Sequence, residues 1–358
     1  MQRTPFKGRG SISNRTPRFE QYERTAVIDD WTEVQAQLSE PLPRRTTVHP
    51  ETAKTIITRN SSPDISFDQS VNPYRGCEHG CIYCYARPSH AYLNHSPGLD
   101  FETILYSKTN AAEVLRAELS KPSYVPRVIA LGTNTDPYQP IERRLRITAD
   151  LLDVFEEFSH PVAITTKSAT VTRDIPVLQR LAKKNLIRVM MSVGFLDVDI
   201  ARTLEPRASS PRARIEALRK LSAAGVPTGV IVAPIIPALT DHEIEKVLFS
   251  AKDAGASDAA YVLLRLPLEV AELFQEWLAQ HHSLKAAHVM NLITQMRGGK
   301  VYDSDFRTRM KGTGVYAQLI EQRFRRACAK AGLNQTRHVL DTTHFSRPLP
   351  VIRQLSLF

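Results

Sequence analysis

The stretch 72-NPYRGCEHGCIYCYARPSH-90 holds three of the chain's four cysteines, Cys77, Cys81 and Cys84, in the pattern C-x-x-x-C-x-x-C; the fourth, Cys328, lies far downstream. Four cysteines with three clustered do not make a disulfide framework. Spacings of three and two residues suit gripping a metal better than mutual pairing, and Gly76 and Gly80 let the loop curl. Thiolates are soft ligands that suit zinc and iron–sulfur clusters. A structural zinc site takes four protein ligands, the fourth here being His79, His90 or Cys328. A [4Fe–4S] cluster takes one cysteine per iron. Three cysteines leave one iron with an open position, which a catalytic metal site needs. The spacing alone leaves both readings open.

Outward from this loop, short β-branched runs alternate with helical patterns. The runs are 65-ISFDQSV-71, 128-VIALGT-133, 161-PVAITTK-167, 187-IRVMMSV-193, 228-TGVIVAPII-236 and 259-AAYVLLRL-266. Between and after them lie helical stretches at 110–120, 142–158, 174–184, 211–225, 240–255 and 268–280, several opened by Asp, Thr or Pro and closed by Gly or Asn. The runs from 128 onward are mostly continuous rather than alternating, as strands buried on both faces are. Six strand-then-helix units imply a parallel α/β sheet. Six is too few for a closed eight-unit barrel, and an open doubly wound sheet and a partial barrel both fit. In either, the site lies at the carboxyl ends of the strands, where 72-NPYRGC, 132-GTNTDP, 165-TTKS and 192-SVGF fall.

Residues 1–60 read as a polar, basic N-terminal arm with one short helix around Asp30–Leu38, residues 61–280 as the core, and 281–358 as a helical, basic extension whose clearest helix is 315–333. The 358 residues, 42% hydrophobic, are enough for a large core. No apolar run approaches the roughly 20 residues of a membrane helix, and the N-terminus has no apolar signal region. The expected location is the cytoplasm, with no membrane partner. The net charge is +10, and it is uneven: residues 1–20 carry five Lys/Arg against one Glu, and residues 300–358 carry eleven against four Asp/Glu. Basic ends around a near-neutral centre suit contact with a polyanion such as nucleic acid; an ordinary solvated basic surface is the alternative.

The order C-x-x-x-C-x-aromatic-C after the first strand of a βα series, here Cys77-Cys81-Tyr83-Cys84, resembles the signature of radical S-adenosylmethionine (radical SAM) enzymes. The stretches 131-LGTNTDPYQPIE-142, 165-TTKS, 205-EPRASSPRARIEALRKLSAAG and 234-PIIPALTD resemble the branch that includes spore photoproduct lyase, over roughly residues 64–270. The segment 302-YDSDFRTRMKGTGVYAQLIEQRF is similar to an uncharacterised bacterial subgroup. The resemblance implies a partial (βα)6 barrel. It also implies a [4Fe–4S] cluster on the three cysteines, S-adenosylmethionine on the open iron, and an electron donor such as flavodoxin or ferredoxin. The expected chemistry is reductive cleavage to a 5′-deoxyadenosyl radical that abstracts hydrogen from a substrate.

The same resemblance distributes the cofactor contacts. Tyr83 is expected against the adenine. Thr135 and Asp136 stand where a methionyl amino group is held, since an ammonium wants acceptor oxygens; an Asp-Pro turn is the plainer role of Asp136. Lys167 is the partner for the methionyl carboxylate, and Ser192 that for the ribose hydroxyls. Glu205 and Arg214 form an ion pair or reach the cofactor, although an Arg on a helix face is more often at the surface. His79, His90 and Tyr85 tune the cluster or simply pack, and Arg87 is a candidate substrate or cofactor contact. Cys328 falls on the apolar stripe of its helix with Phe324 and Ile320, as a buried small hydrophobe, rather than as the hydrogen donor that spore photoproduct lyase uses. Three readings of function stand side by side: radical chemistry on nucleic acid, radical chemistry on a small metabolite or peptide, and a non-enzymatic zinc- or nucleic-acid-binding protein.

Overall fold

The structure, a computed structural model, describes residues 8–20, 45–336 and 338–348. Its strands are β1 Thr47–Glu51, β2 Ile57–Arg59, β3 Gln69–Val71, β4 Tyr74–Arg75, β5 Ile104–Lys108, β6 Ile129–Leu131, β7 Val162–Thr166, β8 Ile187–Ser192, β9 Thr228–Ile235 and β10 Asp258–Leu263. The main sheet has the order β10-β9-β8-β7-β6-β3-β2, parallel throughout except for antiparallel β2. A smaller sheet, β1-β5-β4, stands beside it. All six expected βα strands are present.

The order decides between the two architectures that the sequence leaves open. Strands β3 and β6 to β10 neighbour one another in chain order, without the reversal that marks a doubly wound sheet. With right-handed crossovers, unreversed order puts every helix on one face. The sheet then curls around its other face as an open partial barrel. Residues facing the helices, among them Val71, Leu131, Ile164, Val189 and Val232, join Leu115, Leu151, Phe155, Leu181, Leu218 and Leu248 of the helices in one buried core. The alternate residues Ala163, Thr165 and Ile231 keep some exposure; they face the lumen.

Two expectations change. The helix read over 142–158 is two, Glu142–Leu145 and Ile147–Glu157, with Arg146 between them at φ 56°. The cause is Glu142. Its fully buried carboxylate takes the Tyr74 hydroxyl, the Arg173 guanidinium and the Thr148 backbone N–H, which pulls the backbone out of helical register. Part of the supposed arm is sheet, since β1 pairs along its length with β5. Neither strand has a continuous apolar run: β5 buries Ser107 beside Leu105, and β1 buries no residue fully. The short helix expected at Asp30–Leu38 lies outside the described residues.

The chain's last described segment closes the floor of the barrel. Asn334 bonds the backbone of Ser257 and Ala259, and the Asp341 N–H donates to the Asn185 carbonyl. Phe345 packs on Tyr124, Phe158 and His160, and Arg347 donates to the carbonyls of Lys121 and Tyr124. These contacts run across the amino ends of β10, β8 and β7 and the approach to β6. None of these contacts is at the carboxyl ends of the strands.

Two outcomes follow from this packing. Leu151 is fully buried and Leu284 fully exposed. In urea unfolding, Leu151→Ala is expected to lose about 2–5 kcal/mol with an unchanged m-value, and Leu284→Ala less than about 0.5 kcal/mol. His160, buried between the Tyr124 hydroxyl (2.8 Å) and the Pro161 carbonyl (3.0 Å), is held by burial at about 4 instead of 6.5. A depressed His pKa means the unfolded chain binds the extra proton first. The contribution is therefore complete above pH 6.5 and is lost as pH falls from 6.5 to 4. Chemical unfolding between these pH values should show a decline that flattens in His160→Gln.

Candidate functional site

The cysteine loop leaves β4 and is fixed almost entirely through its backbone. Cys77 N–H donates to the Phe101 carbonyl (2.9 Å) and Ile82 N–H to the Leu204 carbonyl (3.1 Å). Gln139 spans the loop's start, its amide donating to the Gly76 carbonyl (3.2 Å) and its oxygen accepting from the Glu78 N–H (2.8 Å). Arg87, with no exposed surface, donates to the carbonyls of Cys81 (2.8 Å), Gly80 (3.0 Å), Pro97 (3.0 Å) and Gly98 (2.9 Å). Its charge is met by Glu102 at 2.5 Å, equally buried. Arg87 is thus internal scaffolding for the loop rather than the substrate or cofactor contact expected.

The other side of Glu102 holds the N-terminal segment. Its two oxygens accept the N–H groups of Gly10 and Ser11, each at 2.9 Å, and Arg9 donates to the Glu102 carbonyl. The backbone of Gly10 lies so close that a Cβ there would sit 1.9 Å from the Gly80 carbonyl oxygen. Gly80 itself has φ +67° and would press a Cβ 2.7 Å from Glu102 Oε2. Only glycine fits at either position. Arg15 pairs with Glu272 and Glu276, and Arg18 with Glu269. The described arginines of this basic end therefore have internal partners.

Facing the lumen, the loop meets a second buried network. The Tyr83 hydroxyl donates to Glu205, which is ion-paired with Arg214. Arg214 also donates to the carbonyls of Ser209 (2.7 Å) and Ser192 (3.0 Å) and is 1% exposed, not the surface residue its helix suggests. Burial works against the Glu205 charge, but Arg214, Lys167 and Tyr83 outweigh it and its pKa falls. The Lys167 ammonium lies 5.7 Å from the Tyr83 ring centroid. Burial, reinforced by Glu205 and opposed by Lys167, pushes the Cys81 thiol up to about 12; burial and then Asp136 raise Cys77 as well.

The loop after β6 supplies the third wall. Asn72 Oδ1 accepts from the Asn134 (2.9 Å) and Thr135 (3.4 Å) N–H groups, and the Thr135 hydroxyl donates to the Tyr74 carbonyl (3.2 Å). Asp136 accepts from the Tyr138 N–H (2.9 Å), the Thr166 hydroxyl (2.7 Å) and the Lys167 N–H (2.7 Å), with His79 at 3.4 Å. Burial disfavours its charge, but these partners win and hold it at about 2. Ser192 donates to the Ala233 carbonyl (3.2 Å). Tyr85, beside Cys84, donates to the Thr133 carbonyl, and His90 is buried against the Ile104 carbonyl (3.0 Å). Cys328 sits in the core, as its stripe suggests.

The three loop cysteines are free thiols; Cys77 and Cys81 are buried and Cys84 half-buried. Among the described residues no three His, Cys, Asp or Glu side chains converge on one metal position. The loop's polar backbone is satisfied from behind by Arg87 and Gln139, leaving sulfur as its donor toward the lumen. That donor set fits an iron–sulfur cluster, in which each thiolate takes a separate iron.

Residues 71–251 match the sequence model of the Radical SAM superfamily. The chain belongs to the radical SAM superfamily. Members of that superfamily are enzymes that bind S-adenosylmethionine and an iron–sulfur cluster. An uncharacterised protein of Mycobacterium tuberculosis (strain ATCC 25618 / H37Rv) is 38% identical over 220 residues, 61% of this chain and 65% of that protein's length. An uncharacterised protein of Methanocaldococcus jannaschii is 27% identical over 173 residues, 48% of this chain and 62% of that protein. Among solved structures, a mutant spore photoproduct lyase superposes with TM-score 0.54 at 16% identity, covering 87% of this chain and 86% of that one. Another mutant of that lyase, with bound AdoMet and dinucleoside spore photoproduct, gives TM-score 0.54 at 16% identity over 80% of each chain. At such identity the likeness is one of fold. No helix among the described residues is long and apolar enough to cross a membrane.

The sequence reading missed Glu102, Gln139, Asn72 and the N-terminal segment, which act through backbone partners far off in the chain. Asn72 and Gln139 had a signal, each standing in a quoted stretch, 72–90 and 131–142. Arg87→Ala would leave the Glu102 carboxylate without its counter-charge and take a donor from four carbonyls in a buried site. Its expected cost is about 3–5 kcal/mol, read by thermal unfolding, with sulfide retention after reconstitution falling in parallel.

Proposed function

We propose that Cys77, Cys81 and Cys84 carry a [4Fe–4S] cluster and that the lumen above them binds S-adenosylmethionine. When bound and reduced, this pair supplies a 5′-deoxyadenosyl radical that takes hydrogen from the substrate. The observation that carries the reading is the Lys167 ammonium held over Tyr83 and beside Cys81, in front of the Glu205–Arg214 pair. Glu205 is already neutralised by Arg214, so Lys167 retains charge for a carboxylate from the cofactor.

The remaining contacts follow from what each group has left. The Thr135 hydroxyl donates to Tyr74 and still accepts, which suits the methionyl ammonium. Asp136 fixes the Lys167 backbone and adds negative charge behind that position. Tyr83, its hydroxyl tied to Glu205, offers its ring edge and backbone to the adenine. The Ser192 oxygen keeps acceptor capacity for a ribose hydroxyl. A small acidic electron-transfer protein of the flavodoxin or ferredoxin kind would supply the electron. Nucleic acid is the favoured substrate class. The basic excess of residues 300–358 suits backbone contact, and the fold is shared with a lyase solved with a dinucleoside photoproduct.

The test is anaerobic reconstitution with iron and sulfide, reduction, and assay of 5′-deoxyadenosine. Wild type should hold about four irons and four sulfides and release the nucleoside, and Cys81→Ala should release none. Lys167→Met should keep its iron and weaken S-adenosylmethionine binding about tenfold or more, since a charge-assisted contact is lost. One zinc, no sulfide and no nucleoside in wild type would overturn the reading.

A further inference from the structure

At the mouth, past the end of β10, Arg265 stands in an unusual setting. Its guanidinium lies 5.3 Å from the Tyr85 ring centroid and 6.0 Å from that of Tyr302. Tyr85 follows the cluster ligand Cys84 directly, so Arg265 is one side chain removed from the cysteine loop. Its hydrogen-bond partners are weak or neutral: Nη1 points at the Met310 sulfur (3.5 Å) and Nη2 at the Tyr302 hydroxyl (3.2 Å). Nε is buried with no partner. No carboxylate among the described residues pairs with it.

The neighbouring charges sharpen the point. Arg309 is also at the mouth, but Asp64 binds it through two contacts, at 2.5 and 2.7 Å. Arg297 is close enough for the charge of Arg265 to act on it, and it spends its donors on the carbonyls of Leu264, Thr308 and Arg309. Asp303 is occupied by the Thr308 hydroxyl and the Asp305 N–H. Of the three arginines, Arg309 has a carboxylate and Arg297 has three carbonyls, which leaves Arg265 with neither. A partly desolvated guanidinium without an anionic acceptor carries a standing cost, which an incoming oxyanion would remove. The tyrosine rings hold the planar group in place by cation–π contact without neutralising it. Arg265 and Tyr302 lie beyond residues 71–251, the part matched by the superfamily model, whereas Tyr85 lies within it.

We propose that Arg265, framed by Tyr85 and Tyr302, is the subsite that receives an oxyanion of the substrate, phosphate or carboxylate, beside the cysteine loop. The role as a substrate subsite rests on the proposed radical chemistry; the anion binding does not. Calorimetric titration of the reconstituted protein with inorganic phosphate, and separately with acetate, tests it. Wild type should bind one of them saturably. Arg265→Gln should weaken that binding at least tenfold, while Arg265→Lys, which keeps the charge, should retain part of it. Arg307→Gln, in the segment that carries Tyr302 and Met310 but with a guanidinium 87% exposed and paired with Asp305, should bind like wild type. Saturation by phosphate alone identifies a phosphate-bearing substrate, and by acetate alone a carboxylate. Thermal melting establishes that each variant is folded. Should neither anion saturate wild type, or should folded Arg265→Gln bind as tightly as wild type, the proposal is wrong. Release of 5′-deoxyadenosine in substrate-free assays reports on the cofactor chemistry independently and should persist in Arg265→Gln.

Discussion

The Arg87–Glu102 pair is the constraint on which the site depends. Neither partner is exposed, and each is satisfied in full: the guanidinium by four carbonyls and a carboxylate, the carboxylate by the guanidinium and two N–H groups. A loop that must present its sulfurs in one direction needs its carbonyls held in the other. A planar group with five donors does this better than any apolar packing. Two carbonyls belong to the cysteine loop and two to the segment before Leu99, so one side chain sets the distance between them. The arrangement favours uniqueness over raw stability, since buried ion pairs recover little net energy.

The second network, Tyr83–Glu205–Arg214, is built on the same logic and faces the opposite way. It ties the loop to the helix Pro211–Ala223 and to the end of β8 through the Ser192 carbonyl. Between the two networks the loop is gripped from outside and inside. Lys167 and Arg265, each without a carboxylate salt bridge among the described residues, lie against Tyr83 and Tyr85 of the same loop.

Much of this was legible in the sequence. Continuous apolar runs such as 187-IRVMMSV-193 mark strands covered on both faces, and their spacing by amphipathic helices gave all six parallel strands. The cysteine pattern points to a metal site because its meaning lies in short-range spacing. What stayed hidden is what depends on long-range pairing. Ser107 and Pro50 share a register only because β1 and β5 meet. The polar helix leaves Arg214 open to either Glu205 or solvent, and only the fold shows it buried on Glu205. The N-terminal arginines look like a free basic arm because the glutamates that meet them lie about 250 residues onward. Barrel and open sheet were separable only by strand order, which no local pattern encodes.

Those distant glutamates have a consequence for how the protein is made. Ser13 and Arg15 bond Glu276, and Arg18 bonds Glu269, over sequence separations of 251 to 263 residues. During synthesis the cysteine loop emerges early. The brace that packs Gly10 against Gly80 is held first by Glu102 and gains its ties to Glu269, Glu272 and Glu276 only when the helix Val270–His281 has left the ribosome. The floor waits longer still, for residues 334–347. The cysteine loop is thus synthesised well before Glu269 and Glu276, which tie down the segment packed against it.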